Sequence, residues 1–153
     1  MSDDEKEVIT KQEYEEIATF RYVLRRFLHF SENAVRAVGL TPHHHEALLA
    51  IEGFPGRNYV NMRELAERLH VKHNAAVGLV DRLAAEGLAE RSAVDSDRRQ
   101  VHVSLTPRGK QLLAELSAVH RDELKHIAPE LIVQLKRLTE RHKPGAVMPA
   151  APT

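Results

Sequence analysis

The chain has 153 residues, 42% of them hydrophobic and 29% charged, a composition that builds a packed core and excludes an intrinsically disordered polymer. Basic and acidic side chains balance at 22 each, so net charge names no partner. The absence of cysteine excludes disulfides, thiolate metal sites and cysteine redox chemistry. No stretch has the roughly 18 apolar residues of a membrane span or a signal-peptide h-region, so a cytoplasmic protein without membrane contact is expected. Aromatic residues are only 5% and tryptophan is absent, which leaves an aliphatic core suited to packed helices.

Charge is unevenly distributed. Residues 1–18 carry seven acids against Lys6 and Lys11, a net of −5, whereas residues 56–110 carry ten bases against seven acids, a net of +3. A basic centre between less basic ends is compatible with nucleic acid.

Residues 1–9 read as a flexible acidic start. Thr10-Lys11-Gln12-Glu13 has capping-box spacing and opens a long helix that ends at Gly39. Thr41-Pro42 starts a second helix carrying Ala47, Leu48 and Ile51, and Gly53 and Pro55 stop it. Gly56-Arg57-Asn58-Tyr59 reads as a turn. Asn61-Met62-Arg63-Glu64 is another capping box, opening a short helix with Leu65, Ala66 and Leu69. The next helix places Ala76, Leu79, Val80 and Leu83 at i, i+3, i+4 and i+7 and closes at Gly87.

A hairpin follows, over Leu88–Ala93 and Gln100–Leu105, with Val101, Val103 and Leu105 facing inward and His102 and Ser104 facing solvent. Thr106-Pro107 caps a last helix over about residues 107–141, interrupted near Pro129. Residues 143–153 read as a disordered Pro/Ala-rich tail. The fold class is therefore mainly α with a small β-hairpin wing. Two short helices with a tight joint and a hairpin directly after them make a winged helix-turn-helix.

The runs "LTPHHHEALLAI", "MRELAERLHV", "LVDRLAAEGLAER" and "DSDRRQVHVSLTPRG" resemble, in this order, the MarR family of winged-helix transcription regulators. The similarity covers about residues 12–140 and keeps the wing motif D-R-R…V-x-L-T-x-x-G. The resemblance implies a homodimer held by N- and C-terminal dimerisation helices, here residues 10–40 and 107–142. It implies a DNA-binding region over residues 41–106, a pseudo-palindromic double-stranded operator, and a small-molecule effector that relieves repression. The chain departs from the family where Ser or Thr is usual, at Lys72 and Ala75, and where a polar residue is usual, at Gly78.

In the second helix of the motif, the face opposite the core carries His73, Asn74, Val77, Gly78 and Arg82. Asn74 has the groups to bond adenine N6 and N7, and Val77 can meet a thymine methyl. Lys72 and Arg82 suit phosphates, which position without specifying. At the wing, Asp97 and Arg99 share one side of a strand and Arg98 takes the other. Arg99 is therefore assigned to minor-groove insertion, Asp97 to its orientation and Arg98 to a phosphate. The bland alternative is a solvated salt bridge worth ~0–1 kcal/mol.

Adjacent helical residues diverge by about 100°, so His43, His44 and His45 cannot share one ion, and no metal or other cofactor is expected. They are assigned instead to an effector cleft for a small anionic or aromatic ligand. His102 reads as solvated. No nucleophile, phosphate loop or His/carboxylate spacing suggests an enzyme. The competing reading is a winged-helix protein-interaction module that has lost DNA recognition, with Ala75 and Gly78 in its favour.

Overall fold

Thr10 and Glu13 make both bonds of the expected box: the Thr10 backbone N–H donates to Glu13 Oε2 at 2.7 Å and the Glu13 N–H to Thr10 Oγ1 at 3.2 Å. Helix α1 follows as one rod, Lys11–Ala37. The computed structural model describes residues 8–94 and 97–140, with the backbone alone at Val94 and at 97–99. The acidic start before residue 8 and the tail after residue 140 lie outside the described residues.

Helix α2 is Pro42–Glu52, capped by Thr41 Oγ1, which accepts the His44 N–H at 3.2 Å. Strand β1 is Tyr59–Val60, followed by α3 (Met62–Leu69), α4 (His73–Ala85), β2 (Ala89–Val94), β3 (Asp97–Leu105) and α5 (Pro107–Glu140). The strands form one antiparallel sheet in the order β1-β3-β2.

Four expectations are corrected. The stretch read as a turn ends in a strand, because Tyr59 and Val60 pair with Ser104 and Val103. The wing strands run one residue further on β2 and three further back on β3 than expected. Helix α5 runs through Pro129 without a break. A proline there forfeits one backbone N–H donor but leaves the other helical bonds in place. On β3, Val103 and Leu105 are buried but Val101 is exposed, since the hairpin outruns the core beneath it.

The chain divides into two units. One holds the chain up to His29 and from Asp122 onward, and the other is Phe30–Arg121. In the first, Val23 and Ile127 are buried, while Tyr14, Tyr22, Leu28, Leu124, Ile132 and Leu135 stay exposed. In the second, Leu48, Ile51, Leu65, Val80, Leu83, Leu88 and Val103 form the centre of one apolar cluster. The alternation on β3 and the i, i+3, i+4 rhythm on α2, α3 and α4 all converge there.

Three helices of this second unit end alike. Gly39, His70 and Gly87 take left-handed φ values of 81°, 52° and 72°. Each time the next residue donates its N–H five residues back, Leu40 to Val35, Val71 to Ala66 and Leu88 to Leu83, while the left-handed residue donates three back. This double closure is the Schellman motif, which satisfies carbonyls that the helix end would otherwise orphan.

The start of α5 is bolted to the third of these ends. Thr106 Oγ1 donates to the Gly87 carbonyl at 2.6 Å and accepts the Gly109 N–H at 3.1 Å. The Thr106 N–H donates to the Leu88 carbonyl at 3.0 Å, and Arg108 Nη1 to the Glu86 carbonyl at 2.9 Å. The run Thr106-Pro107-Arg108-Gly109 is thus a clamp on the turn between α4 and β2.

Candidate nucleic-acid interface

The joint between α3 and α4 is three residues, His70 to Lys72, and a left-handed histidine turns it. For a non-glycine residue that conformation costs about 1–2 kcal/mol. Nothing in the sequence marks His70 for it. The α4 N-cap, Lys72, makes no side-chain capping bond, as its chemistry dictates.

Helix α4 turns Ala76, Val80 and Leu83 fully inward, with Leu79 half-buried beside them. Lys72, His73, Asn74 and Arg82 are exposed on the other side, and Val77 and Gly78 are half-buried between the two faces. Asp81 of α4 forms an ion pair with Arg91 of β2, tying the wing to this helix.

The exposed start of α4 also shares a groove with the wing. Asn61, Met62 and Arg63 from the beginning of α3, His73 from α4, and Gln100 and Val101 from β3 line a cleft of about 470 Å³. Sequence reasoning missed Arg63 and Gln100 as site residues, because they meet His73 only through the fold. Of the wing-tip assignments, the side chains of Asp97, Arg98 and Arg99 lie outside the described residues, and only their strand backbone is seen.

Gly78 is open. A Cβ built there meets nothing within 4 Å. Gly78→Ala is therefore expected to stabilise the protein by up to about 1 kcal/mol, read as a higher midpoint in urea, because alanine is the better helix former. A lowered midpoint would show a hidden clash. Loss of DNA affinity in the same variant would mean that glycine serves close backbone approach.

The three histidines do not act as one group. His43 is exposed and lies 3.6 Å from Glu46, because residue 43 faces away from the core that residues 44 and 45 enter. His44 is buried, and its two ring nitrogens have no hydrogen-bond partner among the described residues. His45 is buried and stacks on His120 of α5 at 4.8 Å between ring centroids, with Phe30 edge-on to His120. His120 Nδ1–H donates to the Leu116 carbonyl at 2.6 Å, which sets its tautomer. Among the described residues no group of three or more potential ligands could hold a metal ion.

Burial, and secondarily the neighbouring His120, hold the His45 pKa below the ordinary 6.5. The unfolded chain therefore binds a proton at His45 before the folded chain does. The stability this residue contributes is present above pH ~6.5 and is lost as the pH falls from there through its folded pKa. His45→Phe keeps a ring against His120 and removes the titration. It should flatten the acid limb of stability against pH by at most about 1.4 kcal/mol per pH unit, one proton's worth. Unchanged acid sensitivity in thermal unfolding between pH 7.5 and 5.5 would refute this.

With this geometry established, known proteins supply the comparison. Residues 38–100 match the model of the MarR family. The chain is 27% identical over 155 residues to the transcriptional repressor MprA of Escherichia coli K12, covering 90% of this chain and 86% of that protein. In fold it is similar to AbsC, a MarR family transcriptional regulator from Streptomyces coelicolor, with a TM-score of 0.68, 22% identity, and 89% and 95% of the two chains covered. It is also similar to a mutant MarR from E. coli complexed with operator DNA, with a TM-score of 0.60, 21% identity, and 81% and 90% covered. The matched region contains α2, β1, α3, α4, β2 and the start of β3, the elements that build the groove and the wing, and over that region the chain resembles the MarR family.

Proposed function

We propose that this chain is a homodimeric, sequence-specific DNA-binding transcription regulator, a repressor whose operator binding a small anionic or aromatic ligand relieves. The observation that carries this reading is the exposed polar face at the start of α4, opening into one groove with the wing strand β3. A recognition helix enters the major groove near its N-terminal end. His73, Asn74 and Val77 are then the candidate base readers, with Asn74 suited to adenine, and Lys72 and Arg82 are phosphate contacts. In the wing, Arg99 enters the minor groove, Asp97 orients it and Arg98 meets a phosphate. MprA is a transcriptional repressor, and the mutant MarR structure holds operator DNA, which supports the same role here.

A second copy of the chain would cover the apolar side chains that α1 and α5 leave exposed in the first unit, such as Tyr22, Leu28 and Ile132. Residues 10–40 and 107–142 are assigned to that dimerisation, and 41–106 to DNA. The ligand role falls to His44 and His45, while exposed His43 stands apart from them. Regulation of transcription implies a cytoplasmic, non-enzymatic protein, and among the described residues no helix is long and apolar enough to cross a membrane.

The test is selection of duplexes from a random-sequence pool, footprinting of the winners, and titration with salt. Two symmetric protected half-sites and a steep fall of affinity with salt are expected. Arg99→Ala should bind at least about tenfold more weakly with the dimer intact, the worth of one good groove contact. Salt-insensitive binding, or no selection at all, would favour the interaction-module reading.

A further inference from the structure

Strand β1 is only two residues long, and it joins the wing by just two register pairs, Tyr59 with Ser104 and Val60 with Val103. So short a ladder of backbone bonds is a weak hinge for a hairpin that has to meet DNA at a fixed angle. Side chains continue where the backbone stops. Arg68 of α3 lies over the Phe54 ring at 4.9 Å, and Arg57 lies over the same ring at 4.3 Å. Arg57 also lies 4.9 Å from the Tyr59 ring. Tyr59 in turn stacks on His102 of β3 at 4.2 Å and 20°. His102 and Tyr59 are diagonal neighbours on one face of the sheet, since Tyr59 pairs with Ser104.

Arg57 is the hub of this stack. Besides its two aromatic faces it forms an ion pair with Glu64, and both side chains are largely shielded from solvent. Glu64 is also the residue that closes the α3 capping box, accepting the Asn61 N–H at 3.0 Å. One chain of contacts therefore runs from β3 through His102, Tyr59, Arg57 and Glu64 to the start of α3, which packs on α4. Both of its ends adjoin the groove, which Asn61 lines together with Gln100 and Val101, the residues next to His102.

We propose that this arginine–aromatic ladder sets the angle of the wing against the recognition helix, with Arg57 and Tyr59 as positioning residues for DNA binding. The proposal rests on the DNA reading above. A planar guanidinium can stack on both rings at once, which the compact ammonium of lysine cannot do although it retains the charge facing Glu64. The ladder needs the Tyr59 ring and not its hydroxyl.

The experiment compares wild type with Arg57→Lys, Tyr59→Leu and Tyr59→Phe on the duplex that wild type selects from a random pool. Fluorescence anisotropy is read across a salt series. Arg57→Lys and Tyr59→Leu should lose affinity by about tenfold, and the slope of log affinity against log salt should shrink by about one to two as the wing's phosphate contacts go. Tyr59→Phe should match wild type. Hydrogen exchange without DNA gives a second reading. In Tyr59→Leu the amides of β2 and β3 should exchange faster while those of α4 keep their protection.

Wild-type behaviour of Arg57→Lys would overturn the ladder and leave Arg57 as a point charge. Affinity lost at an unchanged salt slope would overturn it too, because that is the mark of less folded protein. So would unchanged exchange in the wing, whatever the DNA result. A wild-type protein that selects no duplex would bring down the DNA reading and the positioning role with it. Wild-type selection with unaltered binding by the variants would bring down the ladder alone.

Discussion

Gly109→Ala is expected to destabilise the protein by about 3 kcal/mol, the upper range for forcing an added atom into a packed site. A Cβ at Gly109 would lie within the van der Waals shell of the Leu88 carbonyl oxygen, 2.9 Å from its carbon and 3.3 Å from its Cα. All three atoms are backbone, so no rotamer change relieves the clash. Alanine gains about 1 kcal/mol over glycine in a helix, and that gain is too small to compensate. Relief would require α5 to move away from the α4–β2 turn, breaking the bonds from Thr106 to Gly87 and Leu88. The melting temperature should fall by about 6 to 12 °C for a chain of this size. An unchanged melting temperature would show that the helix start does not abut Leu88. The same substitution at Gly78 has the opposite expected sign, because the space beside Gly78 is empty.

Leu83→Ala should cost about 2 to 5 kcal/mol, the range for truncating a buried leucine that leaves a cavity. Leu83 is wholly inaccessible and belongs to the cluster that joins α4 to α2, α3 and β2. Against a typical total of about 5 to 15 kcal/mol, that is a large share of the fold's stability. Urea unfolding should show a lower midpoint with an unchanged slope. A loss below about 1 kcal/mol would mean that the cluster repacks freely around the gap. The two variants should not be additive, since Leu88 meets both sites through its N–H bond to the Leu83 carbonyl and through its own carbonyl against Gly109.

What was legible in the sequence was local. The boxes at Thr10 and Asn61 form with the predicted partners, because a capping box is closed within four residues, and Thr41 caps α2 as expected. The inward face of α4 followed from spacing, and its exposed face by subtraction. Strand β1 was illegible, because two residues carry no periodicity and their partners lie more than forty positions away. His102 read as solvated for the same reason, since the Tyr59 ring that covers it arrives from another strand. Arg63, Gln100 and the His45–His120 stack are likewise assembled from separate segments, so no single stretch announces them.

The three helix ends at Gly39, His70 and Gly87 bear on how this region can vary in length. Each is closed by two backbone bonds, and each delivers a residue into or beside the core immediately afterwards: Leu40, Val71 and Leu88. One inserted residue at any of them would break the pair of closing bonds, because that closure fixes the number of residues between donor and acceptor. An insertion or a grafted tag placed there should therefore destabilise the fold, read as a lower midpoint in urea.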